Sequence, residues 1–168
     1  IKEKIDDISC MTVKARDLES FVAVPTADDC SSAYLMLNFK KKKKKYEIVI
    51  SFDGECKETT FKNLLETPRV SLMFSPKGSI AFAQFDGRRI GNYDFLQSYI
   101  TYGKNKYSFE NAVTSPLLIA GNGEGVRIKG EIHLPKEIKS GNYTFDFFKT
   151  DFSDAIFVRT TVNYPYTA

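Results

Sequence analysis

The sequence predicts an all-β protein: an immunoglobulin-like or jelly-roll β-sandwich with at most one short helix. Apolar and polar residues alternate along most of the chain, which is the side-chain period of a β-strand. Turn-forming Gly, Pro, Asn and Asp residues separate the alternating segments at the short spacing typical of sandwiches and barrels. Phe and Tyr supply all of the 14% aromatic residues, and these residue types favour strands.

Eight alternating segments are predicted strands: residues 34–39, 46–52, 69–74, 79–85, 115–120, 125–134, 143–148 and 155–164. The clearest is 125–134, where Val126, Ile128 and Ile132 alternate with charged residues. One face of that strand is therefore predicted to be buried and the other exposed. Only residues 93–102 show a helical spacing of apolar side chains, and we expect one or two helical turns there.

The length predicts one domain. A chain of 168 residues matches the roughly 100 to 200 residues of a typical domain, and no Pro-rich or Ser-rich linker interrupts it. Residues 1–168 are therefore predicted to form a single sandwich, with the tail 164–168 compatible with the start of a linker to a second domain. No apolar run approaches the roughly 20 residues of a membrane helix, so no membrane insertion is expected.

The charge is nearly balanced, with 24 Lys and Arg against 21 Asp and Glu. Nucleic-acid-binding domains are usually more basic, so no nucleic-acid partner is expected. Six consecutive lysines at positions 40–45 must nevertheless be exposed, because a strand cannot bury three of them. This lysine run, which includes Lys42 and Lys43, is either a polybasic finger for acidic glycans, anionic lipid or phosphate, or a hairpin tip that prevents edge aggregation.

The residues that catalysis usually requires are scarce. The single histidine, His133, falls on the polar face of a predicted strand, away from any sequence partner for a Ser-His-Asp or Cys-His arrangement. The glycine-rich segment 121–125 lacks the GK[ST] ending and the following helix of a phosphate loop. The sequence therefore predicts no enzyme activity, no metal site and no cofactor.

The three cysteines, Cys10, Cys30 and Cys56, have no CxxC spacing, which argues against a zinc or thioredoxin-like site. They are either three reduced thiols or one disulfide and one free thiol. A bond between Cys10 and Cys56 would stabilise the fold by about 4 kcal/mol in the chain-entropy model and would imply an oxidising compartment. Cys30 would then be free, or would replace one of the bonded pair.

Around these cysteines the sequence resembles the subunits of chaperone-usher fimbriae. Such subunits carry one cysteine in the first strand and another directly after an apolar strand, as in Cys10-Met11-Thr12-Val13 and in the segment 48–56 that ends with Cys56. Residues 79–89 are similar to the mid-domain strand and turn of these subunits, and 141–144 to their Gly-x-Tyr-Thr hairpin. The resemblance implies a disulfide between Cys10 and Cys56.

The resemblance also implies a function without chemistry. The chain is expected to be a fimbrial tip subunit, or the receptor-binding domain of an adhesin, that reaches the bacterial surface through the periplasm and attaches to a host glycan or protein receptor. Its partners would include a periplasmic chaperone and neighbouring subunits. An incomplete sandwich would accept a neighbour's strand through main-chain hydrogen bonds, whereas a receptor-binding domain would be complete.

Receptor recognition requires polar and aromatic side chains in surface loops. The densest such group consists of Asp86, Arg88, Arg89, Asn92 and Tyr93, followed by Tyr99, Tyr102 and Asn105. Lys42 and Lys43 of the lysine run complete the predicted receptor-binding residues. Ordinary loop polarity is the alternative interpretation of this group, and a viral or other structural jelly-roll shell protein is the alternative function.

Overall fold

The computed structural model of the chain describes residues 8–26, 32–57, 61–91, 99–134 and 141–163. They form a 3₁₀ helix, Ile8–Cys10, and fourteen strands. The strands are β1 (Thr12–Ala15), β2 (Leu18–Pro25), β3 (Ala33–Phe39), β4 (Ile48–Ser51), β5 (Leu64–Glu66), β6 (Val70–Phe74), β7 (Ile80–Phe85), β8 (Arg88–Gly91), β9 (Tyr99–Tyr102), β10 (Asn105–Pro116), β11 (Ala120–Gly121), β12 (Gly123–Ile132), β13 (Gly141–Thr150) and β14 (Ile156–Asn163). In this part of the chain, no helix has the length and apolar character that a membrane span requires.

The strands form four antiparallel sheets. A five-stranded sheet has the order β14-β13-β12-β10-β9, and a four-stranded sheet has the order β5-β6-β7-β8. A three-stranded sheet has the order β11-β2-β3, and β1 pairs with β4 in a two-stranded ribbon. The predicted all-β class is therefore confirmed, and the arrangement is consistent with a β-sandwich.

Strand β13 contributes to two apolar clusters because its successive side chains point to opposite faces. Phe147 packs in a cluster with Leu72 and Phe74 of the four-stranded sheet, and the ring centroids of Phe74 and Phe147 are 5.0 Å apart. The next residue, Phe148, belongs to a second cluster with Val22 of β2. Other parts of the chain therefore pack on both faces of this sheet at the position of Phe147 and Phe148.

Seven of the eight predicted strands are confirmed, since each overlaps an observed strand. The prediction for 115–120 is wrong in its middle, because β10 ends at Pro116 and β11 begins at Ala120. Both Leu117 and Ile119 between them are buried and pack beside Gly125, where an added Cβ would lie 2.6 Å from Ile119. The alternation there reflects a buried crossover between two sheets.

The predicted helical turn is wrong for residues 99–102, which form β9, and residues 93–98 lie outside the described part of the chain. Tyr99 pairs with Ser108 and Tyr102 with Asn105. The turn between these strands contains Gly103 with a φ of 60°, a conformation that glycine adopts without strain. This turn places β10 beside β9, so the backbone of residues 99–102 forms hydrogen bonds across the two strands and not along a helix.

The interpretation of the lysine run as a hairpin tip is also wrong. Strand β3 before the run pairs with β2, and strand β4 after it pairs with β1. The lysine run therefore connects two different sheets. Its residues are exposed, as predicted.

Candidate functional site

A disulfide bond closes the base of the β1–β4 ribbon. Cys10 precedes β1, Cys56 follows β4, and the two are bonded, which is the pair that the family resemblance implies. Two backbone hydrogen bonds reinforce this junction: Gly54 N–H donates to the Cys10 carbonyl at 3.2 Å, and Lys57 N–H donates to the Ser9 carbonyl at 3.1 Å. The two strands are therefore fixed to each other at this end of the ribbon.

An open cleft of about 460 Å³ lies on one face of this ribbon. It is lined by Lys14, Ala15, Arg16, Lys43, Lys45, Tyr46, Glu47 and Val49. Lys14 and Val49 are cross-strand partners, so their side chains share one face of the ribbon. The cleft combines a mainly basic rim with apolar surface from Val49 and the Tyr46 ring.

Positive charge is concentrated around the cleft. We define the basic patch as Lys14, Arg16 and the lysine run, together with the nearby acids Asp17, Glu47 and Asp53. It contains eight of the 24 basic residues but three of the 21 acidic ones, so the patch carries +5 and the rest of the chain −2. Anions are therefore attracted to this face of the molecule in particular.

The lysine run has a defined conformation because Tyr46 holds it. The Tyr46 hydroxyl accepts a hydrogen bond from Lys43 N–H at 2.7 Å and donates one to the Lys41 carbonyl at 3.0 Å. The Tyr46 ring stacks on Phe39, with centroids 3.9 Å apart. These contacts fold the run over an aromatic pair at the side of the ribbon.

Asp17, in the turn between β1 and β2, anchors the run a second time. Its carbonyl accepts a hydrogen bond from Lys40 N–H at 2.9 Å, and its carboxylate forms an ion pair with Lys43. The hydrogen bond from Lys43, and then the charges of Lys43, Arg16 and Lys40, hold the pKa of Asp17 below its ordinary value. Asp17 therefore stays ionised and fixes Lys43, while other cations of the patch face solvent.

The predicted site residue Asp86 has a structural partner. Asp86 and Gly87 have φ values of 46° and 76° in the tight turn between β7 and β8, as two-residue hairpin loops require. Arg69 donates two hydrogen bonds to the Asp86 carboxylate, at 2.9 and 2.8 Å, and lies over the Phe85 ring at 4.8 Å. The hydrogen bond from Arg69 lowers the pKa of Asp86.

The other predicted receptor residues are spread over separate segments. Arg88 and Arg89 begin β8, and the Arg89 guanidinium lies 5.4 Å from the Phe82 ring. Tyr99, Tyr102 and Asn105 belong to the β9–β10 hairpin. Lys42 and Lys43 lie between β3 and β4, which belong to two other sheets. Asn92, Tyr93 and Cys30 lie outside the described residues.

A second open cleft, of about 480 Å³, has mainly apolar walls. Its lining includes Val70, Phe85 and Ile90 from the four-stranded sheet and Ile156 and Val158 from β14. Phe85, Ile90 and Val158 are each at least 40% exposed. Within the described chain, β14 pairs only with β13, so this apolar groove lies beside a free sheet edge.

His133 is exposed, in agreement with the predicted alternation. Its Nε2 lies 3.2 Å from a Glu131 carboxylate oxygen and 3.5 Å from the Asn111 side-chain nitrogen. Among the described residues, no three His, Cys, Asp or Glu side chains are grouped as metal ligands.

Sequence reasoning missed Lys14 and Arg16. The alternation in Val13-Lys14-Ala15-Arg16 was a usable signal, since it places both cations on one face of a strand. Their proximity to the lysine run depends on the pairing of β1 with β4, which no local pattern reveals.

Comparison of the chain with models of known protein families, with curated proteins and with solved structures gives no match.

Proposed function

We propose that the chain is an attachment domain of a bacterial surface fimbrium, either a tip subunit or the receptor-binding domain of an adhesin. The observation that carries the proposal is the basic cleft on a ribbon closed by a disulfide. A receptor-binding surface needs exposed side chains held in a fixed arrangement, since ordering them on binding costs free energy. The Cys10–Cys56 bond and the Tyr46 contacts supply that rigidity.

The disulfide also supports a location outside the cytosol, because such bonds persist in oxidising compartments. Passage through the periplasm to the cell surface accounts for the bond. The host receptor, a glycan or a protein, binds the basic cleft. Asp86, Arg88 and Arg89 lie apart from it, in the exposed turn between β7 and β8 and at the start of β8.

The experiment is adhesion of the oxidised domain, coupled to beads, to a panel of animal cells. We expect Lys14→Glu with Arg16→Glu to abolish adhesion. The matched control is Lys77→Glu with Lys104→Glu, which changes the net charge equally at exposed lysines outside the patch. Equal adhesion by both double variants would contradict the proposal, and assembly of the isolated chain into closed shells would favour a structural shell protein.

The apolar groove beside β14 is the proposed contact with the fimbrial assembly. An extended segment of the chaperone or of a neighbouring subunit pairs with the free edge of β14 and places alternate apolar side chains in the groove. Exposed apolar residues beside a free strand edge are the features that such strand addition uses.

Incorporation into surface fibres of the producing bacterium tests this contact. We expect Val158→Arg, in the groove, to prevent incorporation. Val113→Arg is the control, because Val113 is 61% exposed on β10 and does not line the groove. Normal incorporation of the Val158 variant would overturn the assignment of the groove.

A further inference from the structure

We infer that the ligand of the basic cleft is an acidic polysaccharide, a chain of sugars that carries sulfate or carboxylate groups. This inference rests on the proposed function and specifies the receptor class of the same site.

Several cations of the rim form no ion pair within the described part of the chain. Lys43 is paired with Asp17, whereas Lys14, Arg16 and Lys45 form no ion pair with any described residue. Sulfate and carboxylate oxygens accept short, strong hydrogen bonds from lysine and arginine. These three side chains are therefore available to bind anionic groups of a ligand.

The shape of the cleft fits a chain better than a single small anion. The cleft is open to solvent, and its cations come from β1, from the following turn and from the lysine run. A polymer with anionic groups at intervals contacts several of these cations at once. Val49, which is 58% exposed, provides an apolar surface for the C–H face of a sugar ring.

The ribbon geometry argues against a lipid surface. Stable binding to an anionic membrane combines basic residues with apolar side chains that enter the same interface. Ile48 and Ile50 are exposed, but they alternate with Val49 along β4 and so lie on the face opposite Lys14. Of the exposed apolar side chains of β4, only Val49 therefore lies on the cleft face, which leaves little apolar surface there to enter a membrane.

The experiment is titration of the oxidised protein with a heparin oligosaccharide, by calorimetry, against the same oligosaccharide after removal of its sulfates. We expect binding only to the sulfated form. Affinity should fall steeply between about 0.1 M and about 1 M salt, because the Debye length shrinks from about 10 Å to about 3 Å.

The same charge variants locate the site. Lys14→Glu with Arg16→Glu should weaken heparin binding about tenfold or more, since hydrogen bonds to charged groups are lost. Lys77→Glu with Lys104→Glu should bind heparin with an affinity within about twofold of the wild type, because the cleft and not the overall charge determines the affinity. Circular dichroism and the urea midpoint verify that both variants are folded.

Three outcomes overturn the inference: equal weakening by both variants, equal affinity for single-stranded DNA of matched charge, or binding to phosphatidylserine vesicles without binding to heparin. Cell adhesion separates this inference from the proposed function. Adhesion that requires Lys14 and Arg16 but is not inhibited by heparin refutes the polysaccharide alone. Absence of adhesion alongside specific heparin binding refutes the proposed attachment and leaves the ligand class standing.

Discussion

Asp146 accepts two hydrogen bonds from the guanidinium of Arg127, at 2.6 Å from Nε and 2.9 Å from Nη2. The two residues are cross-strand partners of β12 and β13, and Arg159 of β14 is the partner of Asp146 on its other side. Arg159 Nε donates to the same carboxylate at 3.0 Å. One buried carboxylate thus joins three neighbouring strands of the five-stranded sheet.

We expect Asp146→Ala to destabilise the fold by about 3 to 5 kcal/mol, because two largely buried arginines lose their counter-ion. The Asp146 side chain is only 2% exposed, so in the folded protein the two arginines depend on this carboxylate and not on bulk water. Urea unfolding measures the loss, and Asp151→Ala at an exposed position is the control. A loss below about 1 kcal/mol would mean that the ion pairs of Asp146 with the two arginines stabilise the fold no more than a surface ion pair does.

The fold was predictable where burial follows the strand period, and the site was not. In β12 the alternation of Val126, Ile128 and Ile132 was sufficient, because a single-sided burial pattern leaves few alternatives. The cleft instead depends on the pairing of β1 with β4, and its cations come from three separate segments. Local patterns carry no information about such long-range pairing, and the sequence allowed more than one way to pair its three cysteines.

Removal of the disulfide should affect both stability and binding. We expect Cys10→Ala with Cys56→Ala to lower the free energy of unfolding by about 4 kcal/mol in the chain-entropy model. Heparin affinity should also fall, since the base of the ribbon is released. Peptide mapping under non-reducing conditions checks the pairing, and Cys30→Ser should leave both quantities unchanged. A bond between Cys30 and either of the other two cysteines would contradict the structure.

The Tyr46 hydroxyl should matter more for binding than for stability. Tyr46→Phe retains the ring that stacks on Phe39 but removes the bonds to Lys43 N–H and the Lys41 carbonyl. Because the site is exposed, we expect a stability loss of about 1 kcal/mol or less and a several-fold loss of heparin affinity. Tyr34→Phe is the control, at a tyrosine that is 60% exposed. Unchanged affinity would show that the conformation of the lysine run is irrelevant.

Glu124 should make the free energy of unfolding depend on pH in the acid range. Lys62 Nζ donates to its carboxylate at 2.6 Å and Lys149 Nζ lies 3.3 Å from its other oxygen. The Lys62 hydrogen bond, and then the nearby Lys149, lower its pKa in the fold from the ordinary value of 4.5. The stabilisation is therefore fully present above about pH 4.5 and is lost as the pH falls through the lower folded pKa.

Glu124→Gln should consequently be less stable than the wild type at neutral pH, by less than about 1 kcal/mol because the ion pairs are partly exposed. The difference should disappear below the folded pKa, where Glu124 is protonated in both the folded and the unfolded chain. Urea midpoints measured between about pH 6 and about pH 2.5 check the prediction. Glu55→Gln, at an exposed position after β4, is the control and should keep the same difference from the wild type across this range. A constant offset of the Glu124 variant would mean that the charge of Glu124 contributes nothing.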